Sequence, residues 1–239
     1  MSASVDGVTA DAILVDLEVT PLRAVHAELH GLPADTNRTG WRITNPRGRH
    51  SVAVGLMAPL AVRIEGHVGY YAAGMNQRAT VDILGNAGPG VAENMMSGRV
   101  HVHGNASQAA GATGRGGLLV IDGDAGARCG ISMKGIDIVV RGSVGHMSAF
   151  MAQEGNLVVC GDAGDALGDS LYEARLFVRG SVASLGADCE EKTMAGEDLA
   201  LLGGLLARAG IADVPAEDFR LYGSARRLYH FHVDNANEY

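Results

Sequence analysis

The chain has 239 residues, enough to bury one sizeable core, yet it carries 34 glycines and only 5% aromatic residues, so that core is built of small aliphatic side chains. A formal charge of −8 argues against a nucleic-acid groove, which needs clustered Lys and Arg. No run of 18 apolar residues reads as a membrane span, MSASVDGVTAD lacks the basic start and apolar stretch of a signal peptide, and three cysteines without pairing rhythm fit a reducing compartment. The expected class is a soluble cytoplasmic protein.

In chain order, AILVDLEV (12–19) predicts a strand, and Thr20-Pro21 opens a short helix that stops near Gly31. TGWRITNPRGRHSVAVGL (39–56) then predicts two strands around a Pro-Gly turn. Residues 1–61 are therefore expected to form an N-terminal cap and lead-in strands, covering one open end of the central segment.

From residue 62 a repeat takes over. Gly66, Gly85, Gly104, Gly123, Gly142, Gly161 and Gly180 stand 19 residues apart. Four before each stand Val62, Val81, Val100, Leu119, Ile138, Leu157 and Leu176, and two before each stand Ile64, Ile83, Val102, Ile121, Val140, Val159 and Val178. That alternation is a strand with both side chains on one face. The position after the glycine is always polar, the second after it is Ala or Val, and the seventh is only Ala or Gly: Ala73, Ala92, Gly111, Gly130, Ala149, Gly168 and Ala187.

Nineteen residues are too few for a strand–helix–strand unit, which needs roughly 30, but suit one coil of a parallel β-helix. Right-handed coils are expected from the rule for parallel crossovers, and at about 4.8 Å per coil seven make a column of roughly 30 Å. The predicted fold is thus all-β, a right-handed parallel β-helix over 62–195. Its glycines are expected to supply corners with backbone angles that a side chain resists, and its Ala and Gly at the seventh position to fit a narrow interior. LLVIDGDAGARCG (118–130) superficially resembles a phosphate loop, but its spacing is not G-x-G-x-x-G and six sister corners share its pattern, so it reads as a coil corner.

Residues 196–239 are expected to supply helices and a docking tail. GEDLALLGGLLARAG (196–210) is an amphipathic helix with Leu199, Leu202, Leu205 and Leu206 on its apolar side, and a second short helix begins at Pro215. Three before the corner glycine, Arg63, Asp82 and His101 give way to Val120, Val139, Val158 and Phe177, an apolar stripe on the outside of one sheet. Either this helix covers the stripe or another subunit does. Val120, Val139, Val158 and Phe177, with Tyr229, Phe231 and Tyr239 of the aromatic tail, are therefore the candidate interface residues.

Candidate chemistry is sparse. Cys129, Cys160 and Cys189 fall at different positions of coils four, six and seven, and coils two apart are separated by roughly 10 Å, too far to share a metal or cluster. His101 and His103 share a strand face with Asp82 and Asp122 in the adjacent coils, a possible surface zinc site, although such residues are commonplace on solvated sheets. His230 and His232 alternate in the tail, where packing at an interface is the expected role. No G-x-S-x-G elbow, Walker loop or H-E-x-x-H occurs. No catalytic, cofactor-binding or metal-binding residue is assigned.

With the repeat, EGHVGYYAAGMNQ (65–77), GVAENMMSGRVHVHGNASQAAGATGRGG (90–117), CGISMKGIDIVVRGSVGHMSAFMAQ (129–153), SLYEARLFVRG (170–180) and YGSARRLYHFHVDNA (222–236) make the chain resemble the GXGXG domain that closes the glutamate synthase large subunit. The likeness covers about residues 41–239 and is greatest to the stand-alone version of that domain in N-methylglutamate synthase (methylamine–glutamate N-methyltransferase). The resemblance implies a right-handed β-helix beside two partners, a glutaminase-like subunit and a barrel subunit carrying FMN and an iron–sulfur cluster. It implies participation in forming N-methylglutamate and ammonia from methylamine and glutamate, with no cofactor in this chain. The family's glutaminase nucleophile is a cysteine exposed after Met removal, whereas position 2 here is Ser2, so no catalytic residue carries over. Two other classes remain open: the β-helix subunit of a formylmethanofuran dehydrogenase or formyltransferase complex, and a free-standing ligand-binding β-helix.

Overall fold

The glycine-centred repeats stack as turns of a parallel β-solenoid in the computed structural model, which describes residues 12–227. The elements are β1 (Ile13–Asp16), α1 (Leu22–His30), β2 (Gly40–Thr44), β3 (Ala61–Glu65), β4 (Thr80–Ile83), β5 (Arg99–Val102), β6 (Leu118–Ile121), β7 (Lys134–Val140), β8 (Glu154–Val159) and β9 (Arg175–Val178). β10 (Cys189–Lys192), α2 (Gly196–Ala209), a 3-10 turn (Ala216–Asp218) and β11 (Arg220–Ser224) complete them.

From β3 to β9 neighbouring strands pair in parallel at an offset of 19 residues, as in Val62 with Val81 and Leu157 with Leu176, apart from a register shift at the start of β7 where Lys134 meets Glu154. A second, one-residue ladder runs through Val68, Ala87, Ala106, Ala125, Val144, Ala163 and Val182. The aliphatic residues four and two before the corner glycine fill the interior; Ile64, Val81, Ile121, Ile138 and Leu176 are fully buried.

The ladder begins earlier than the repeat. β1 pairs in parallel with β2, and β2 with β3, Trp41 lying opposite Val62. The second strand expected within 39–56 does not form: Ser51, Ala53 and Gly55 have φ of 59°, 56° and 68° and sit in turns. A parallel neighbour leaves no place for a hairpin there, and the segment closes one more solenoid turn. Val25 and Leu29 of α1 pack into the same core as Trp41 and Ile43.

The structure corrects the reason for the corner glycines. Among them only Gly66, at φ 130°, has a left-handed backbone. The others are needed because successive turns approach too closely for a Cβ: at Gly85 it would lie 2.7 Å from Gly66 C, and at Gly142 2.2 Å from Asp124 Oδ1 and 2.7 Å from Gly123 O. The polar residue after each glycine forms an external ladder rather than closing its own turn. His67 Nδ1 accepts from Asn86 N–H, Asn86 Oδ1 from Asn105 N–H and Asn105 Oδ1 from Asp124 N–H, each at 2.9 Å; Asp124, Ser143 and Asp162 continue it to Ser181. Hence the amides of Gly123, Asp124, Ala125 and Gly126 in the loop that resembled a phosphate cradle are already bonded to neighbouring turns.

Left-handed residues occur instead five, seven and nine positions after the corner. Tyr71, Ala73 and Met75 begin a series that recurs every 19 residues to Ala166, Gly168 and Ser170, with φ between 52° and 72° throughout. At the seventh position the side chain also points inward from Ala73 to Ala149, so the Ala and Gly there satisfy both the backbone and the narrow interior, whereas Ala187 in the last copy is exposed, is not left-handed and departs from that expectation.

The apolar stripe is covered within the chain. Val120, Val139, Val158 and Phe177 are completely buried in a second cluster with Leu202, Leu205, Leu206 and Ala209 of α2 and with Ile211, Phe219 and Leu221. These four are thus corrected from candidate subunit interface to intramolecular core. Ion pairs from Arg141 to Asp213 (2.6 Å), Arg208 to Asp137 (3.0 Å) and Arg179 to Asp218 (3.2 Å) rim this layer. β11 then lies antiparallel on β9, placing Leu221 opposite Phe177, with β10 outside it. An antiparallel strand at the end of a parallel stack interrupts the register that another turn would need. Tyr229, Phe231 and Tyr239, and the histidine pair of the tail, lie outside the described residues.

Candidate functional site

The outer face of β4–β6, just beyond the area covered by α2, gathers four of the residues singled out by spacing. Asp82 pairs with His101 across β4 and β5, while His103 and Asp122 each follow their strands by one residue and stand 19 positions apart. In-register parallel stacking therefore converts the pattern D…H-x-H…D into one cluster.

The two imidazoles stack with centroids 3.9 Å apart. His101 Nε2 is 2.9 Å from Asp122 Oδ1, and His103 Nδ1 is 3.3 Å from Asp122 Oδ2, so one carboxylate spans one nitrogen of each ring. The other nitrogens face Asp82: His101 Nδ1 and His103 Nε2 lie 3.8 and 3.7 Å from its Oδ1. Side-chain exposure runs from 10% at His101 to 36% at Asp122, which leaves the cluster open on one side. Burial, and then the neighbouring His101, hold His103 below its ordinary pKa despite the carboxylates. Burial alone would raise Asp122, but the hydrogen bond from His101 and the charges of His101, His103 and Arg141 hold it below the usual carboxylate value.

The cysteines do not join this cluster. Cys129 lies in the solenoid core, Cys160 beneath α2, and Cys189 packs partly buried against the core. Burial pushes their thiols up to about 12, 11 and 12 respectively, the opposite of what an attacking thiolate needs. A groove of about 800 Å³ near the last turns is lined by Glu154, Asn156, Glu173, Arg175, Glu197 and Arg226, with Arg226 paired to Glu173.

The sequence pattern located all four residues of the histidine–aspartate cluster but not the division of labour between its carboxylates, which depends on ring orientation. It also passed over Met57, Tyr70, Tyr71, Met75 and Met96, large apolar side chains at least 45% exposed on the early turns. Their only sequence signal is residue type, because an exposed position, left-handed as at Tyr71 and Met75 or not, imposes no spacing rule on its side chain.

No helix among the described residues is long and apolar enough to cross a membrane. Among characterised sequences the chain is similar to protein GlxC of Rhizobium meliloti (strain 1021), with 62% identity over 226 residues that span 95% of this chain and 99% of that protein. No protein-family model and no solved structure matches it.

Proposed function

Taking as premise that the chain belongs to the family of protein GlxC, we propose that it is a non-catalytic structural subunit of a glutamate-synthase-like complex, namely N-methylglutamate synthase. In this proposal a glutaminase-like subunit supplies ammonia chemistry, a barrel subunit holds FMN and an iron–sulfur cluster, and this chain holds neither cofactor. It works in the cytoplasm as part of a hetero-oligomer and bears on methylamine metabolism as a scaffold.

The observation that carries this proposal is the stack of 19-residue turns, since it is the repeat, with the segments embedded in it, that makes the chain resemble the GXGXG domain. Two further observations support a scaffolding role. The three thiols are insulated by burial rather than activated. With the stripe already covered by α2, the large apolar side chains still exposed among the described residues include Tyr70, Tyr71, Met75 and Met96, all four within segments that carry the resemblance.

Purification of the complex from its native host tests the proposal directly. Recovery of this chain with a glutaminase-like chain and a flavin- and cluster-bearing chain is the expected result, and Tyr71→Asp with Met75→Asp should release it without unfolding it. Recovery instead with molybdenum or tungsten and amidohydrolase subunits would favour the formyl-transferring complex. Recovery as a lone chain, or intrinsic flavin or glutaminase activity, would overturn the proposal.

A further inference from the structure

We propose that Asp82, His101 and His103 form a zinc site, with Asp122 as the carboxylate that orients both histidines. A neutral imidazole has one N–H and one lone pair, and its nitrogens take opposite roles. Asp122, an acceptor when ionised, faces His101 Nε2 in a 2.9 Å hydrogen bond and lies 3.3 Å from His103 Nδ1, an arrangement that favours ring protons on those two atoms. The lone pairs of His101 Nδ1 and His103 Nε2 then converge on Asp82 Oδ1, itself an anionic acceptor.

Three acceptors directed at one point repel each other unless a cation lies between them. At 3.8 and 3.7 Å the nitrogens are too far from Asp82 for hydrogen bonds, and His103 Nε2 is a buried nitrogen with no hydrogen-bond partner. These separations suit a bound ion. Zinc bonds of about 2.0–2.1 Å place tetrahedral ligands roughly 3.3 Å apart, and the three donor atoms here lie within 4.8 Å of one another. Binding would require the two stacked rings to turn so that their in-plane lone pairs meet at the ion.

The outer contacts fit as well. Histidines that bind metals commonly donate their second N–H to a carboxylate, which fixes the tautomer and raises ligand basicity. Asp122 does this for His101, and its other oxygen lies 3.3 Å from His103 Nδ1. The two carboxylates together balance a dication, and the N₂O donor set suits zinc better than calcium or magnesium, which prefer all-oxygen cages. Three protein ligands leave a fourth tetrahedral position toward the open side of the cluster, for solvent or for a donor from another molecule. Asp122 is a positioning residue in this scheme and not a ligand.

The test uses the untagged full chain, stripped with a chelator and dialysed. Zinc titration followed by calorimetry should show one tight site per chain, and cobalt substituted for zinc should give the visible bands of a tetrahedral ion. His103→Ala and Asp82→Asn should each abolish the tight site, and Asp122→Asn should weaken it about 10–100-fold. His26→Ala should leave it intact, which separates this cluster from the other histidines of the chain. Circular dichroism checks folding, and Asp82→Asn preserves the side-chain shape if His103→Ala misfolds. No tight site in the parent, or a site indifferent to Asp82→Asn, would overturn the proposal.

Discussion

Replacing Gly142 by Ala isolates what the corner glycines do. Its backbone is not left-handed, so alanine meets no conformational barrier there, but the added Cβ would lie 2.2 Å from Asp124 Oδ1, 2.7 Å from Gly123 O and 2.8 Å from Gly123 C. The Asp124 carboxylate can swing aside, at the cost of the 2.8 Å hydrogen bond it accepts from Ser143 N–H. That bond is exposed to water, so its loss costs about 0.5–1.5 kcal/mol. The backbone contact cannot be relieved by a rotamer, and separating two turns adds an overpacking cost of about 1–3 kcal/mol. Against this, alanine restricts the unfolded chain and returns about 0.4–1 kcal/mol. The net expectation is a destabilisation of about 0.5–4 kcal/mol, centred near 2, and at about 2–4 °C per kcal/mol for a chain of this size it is read in a thermal or urea melt. The same substitution at Gly203, in α2 with nothing within 4 Å of its Cβ, should stabilise by roughly 0.5–1 kcal/mol. Asparagine, which tolerates left-handed angles, distinguishes the two explanations of the corner: Gly142→Asn should be at least as harmful as Gly142→Ala. Rescue by asparagine, or an unchanged midpoint for alanine, would refute close approach as the cause.

Ala149, at φ 58° and fully buried, should accept glycine, as sister turns do, whereas Ala149→Leu should cost at least about 1–3 kcal/mol; equal melting midpoints would place its side chain outside the core. At about pH 8 a thiol reagent should leave Cys129, Cys160 and Cys189 unmodified in the native chain and label all three after unfolding, because burial raises each thiol; rapid native labelling would contradict that burial. Burial, and then His30, depress His26 below 6.5, so its contribution to stability is present above its unfolded pKa and lost as pH falls through its lower folded value. Between about pH 7 and pH 5 the parent should therefore lose more stability than His26→Gln, and parallel losses would exclude His26 as the cause.

The solenoid is legible in the amino-acid order because each turn meets its neighbour residue for residue. A spatial repeat of one turn becomes a sequence repeat of 19, and wherever the interior is tight the permitted side chains show it: Val62, Ile64, Val68 and Ala73 each begin a column that the stack enforces. The same logic brought Asp82, His101, His103 and Asp122 onto one face. Positions that meet water carry no such record, and their arrangement is set only when the turns stack. Tyr71 and Met75 hold left-handed angles that their residue types do not announce. The corner glycines look alike in sequence whether they serve backbone angles or close approach, and only the stacked neighbours of Gly85 and Gly142 decide for approach. An apolar stripe and an apolar helix are each complementary to many surfaces, so their pairing through Phe177, Leu202 and Leu205 was not written in either segment alone. The surroundings of Asp82 and Asp122 diverge for a similar reason: both stand beside the same histidines, and only ring orientation brings one nitrogen of each imidazole near Asp122 and the other toward Asp82.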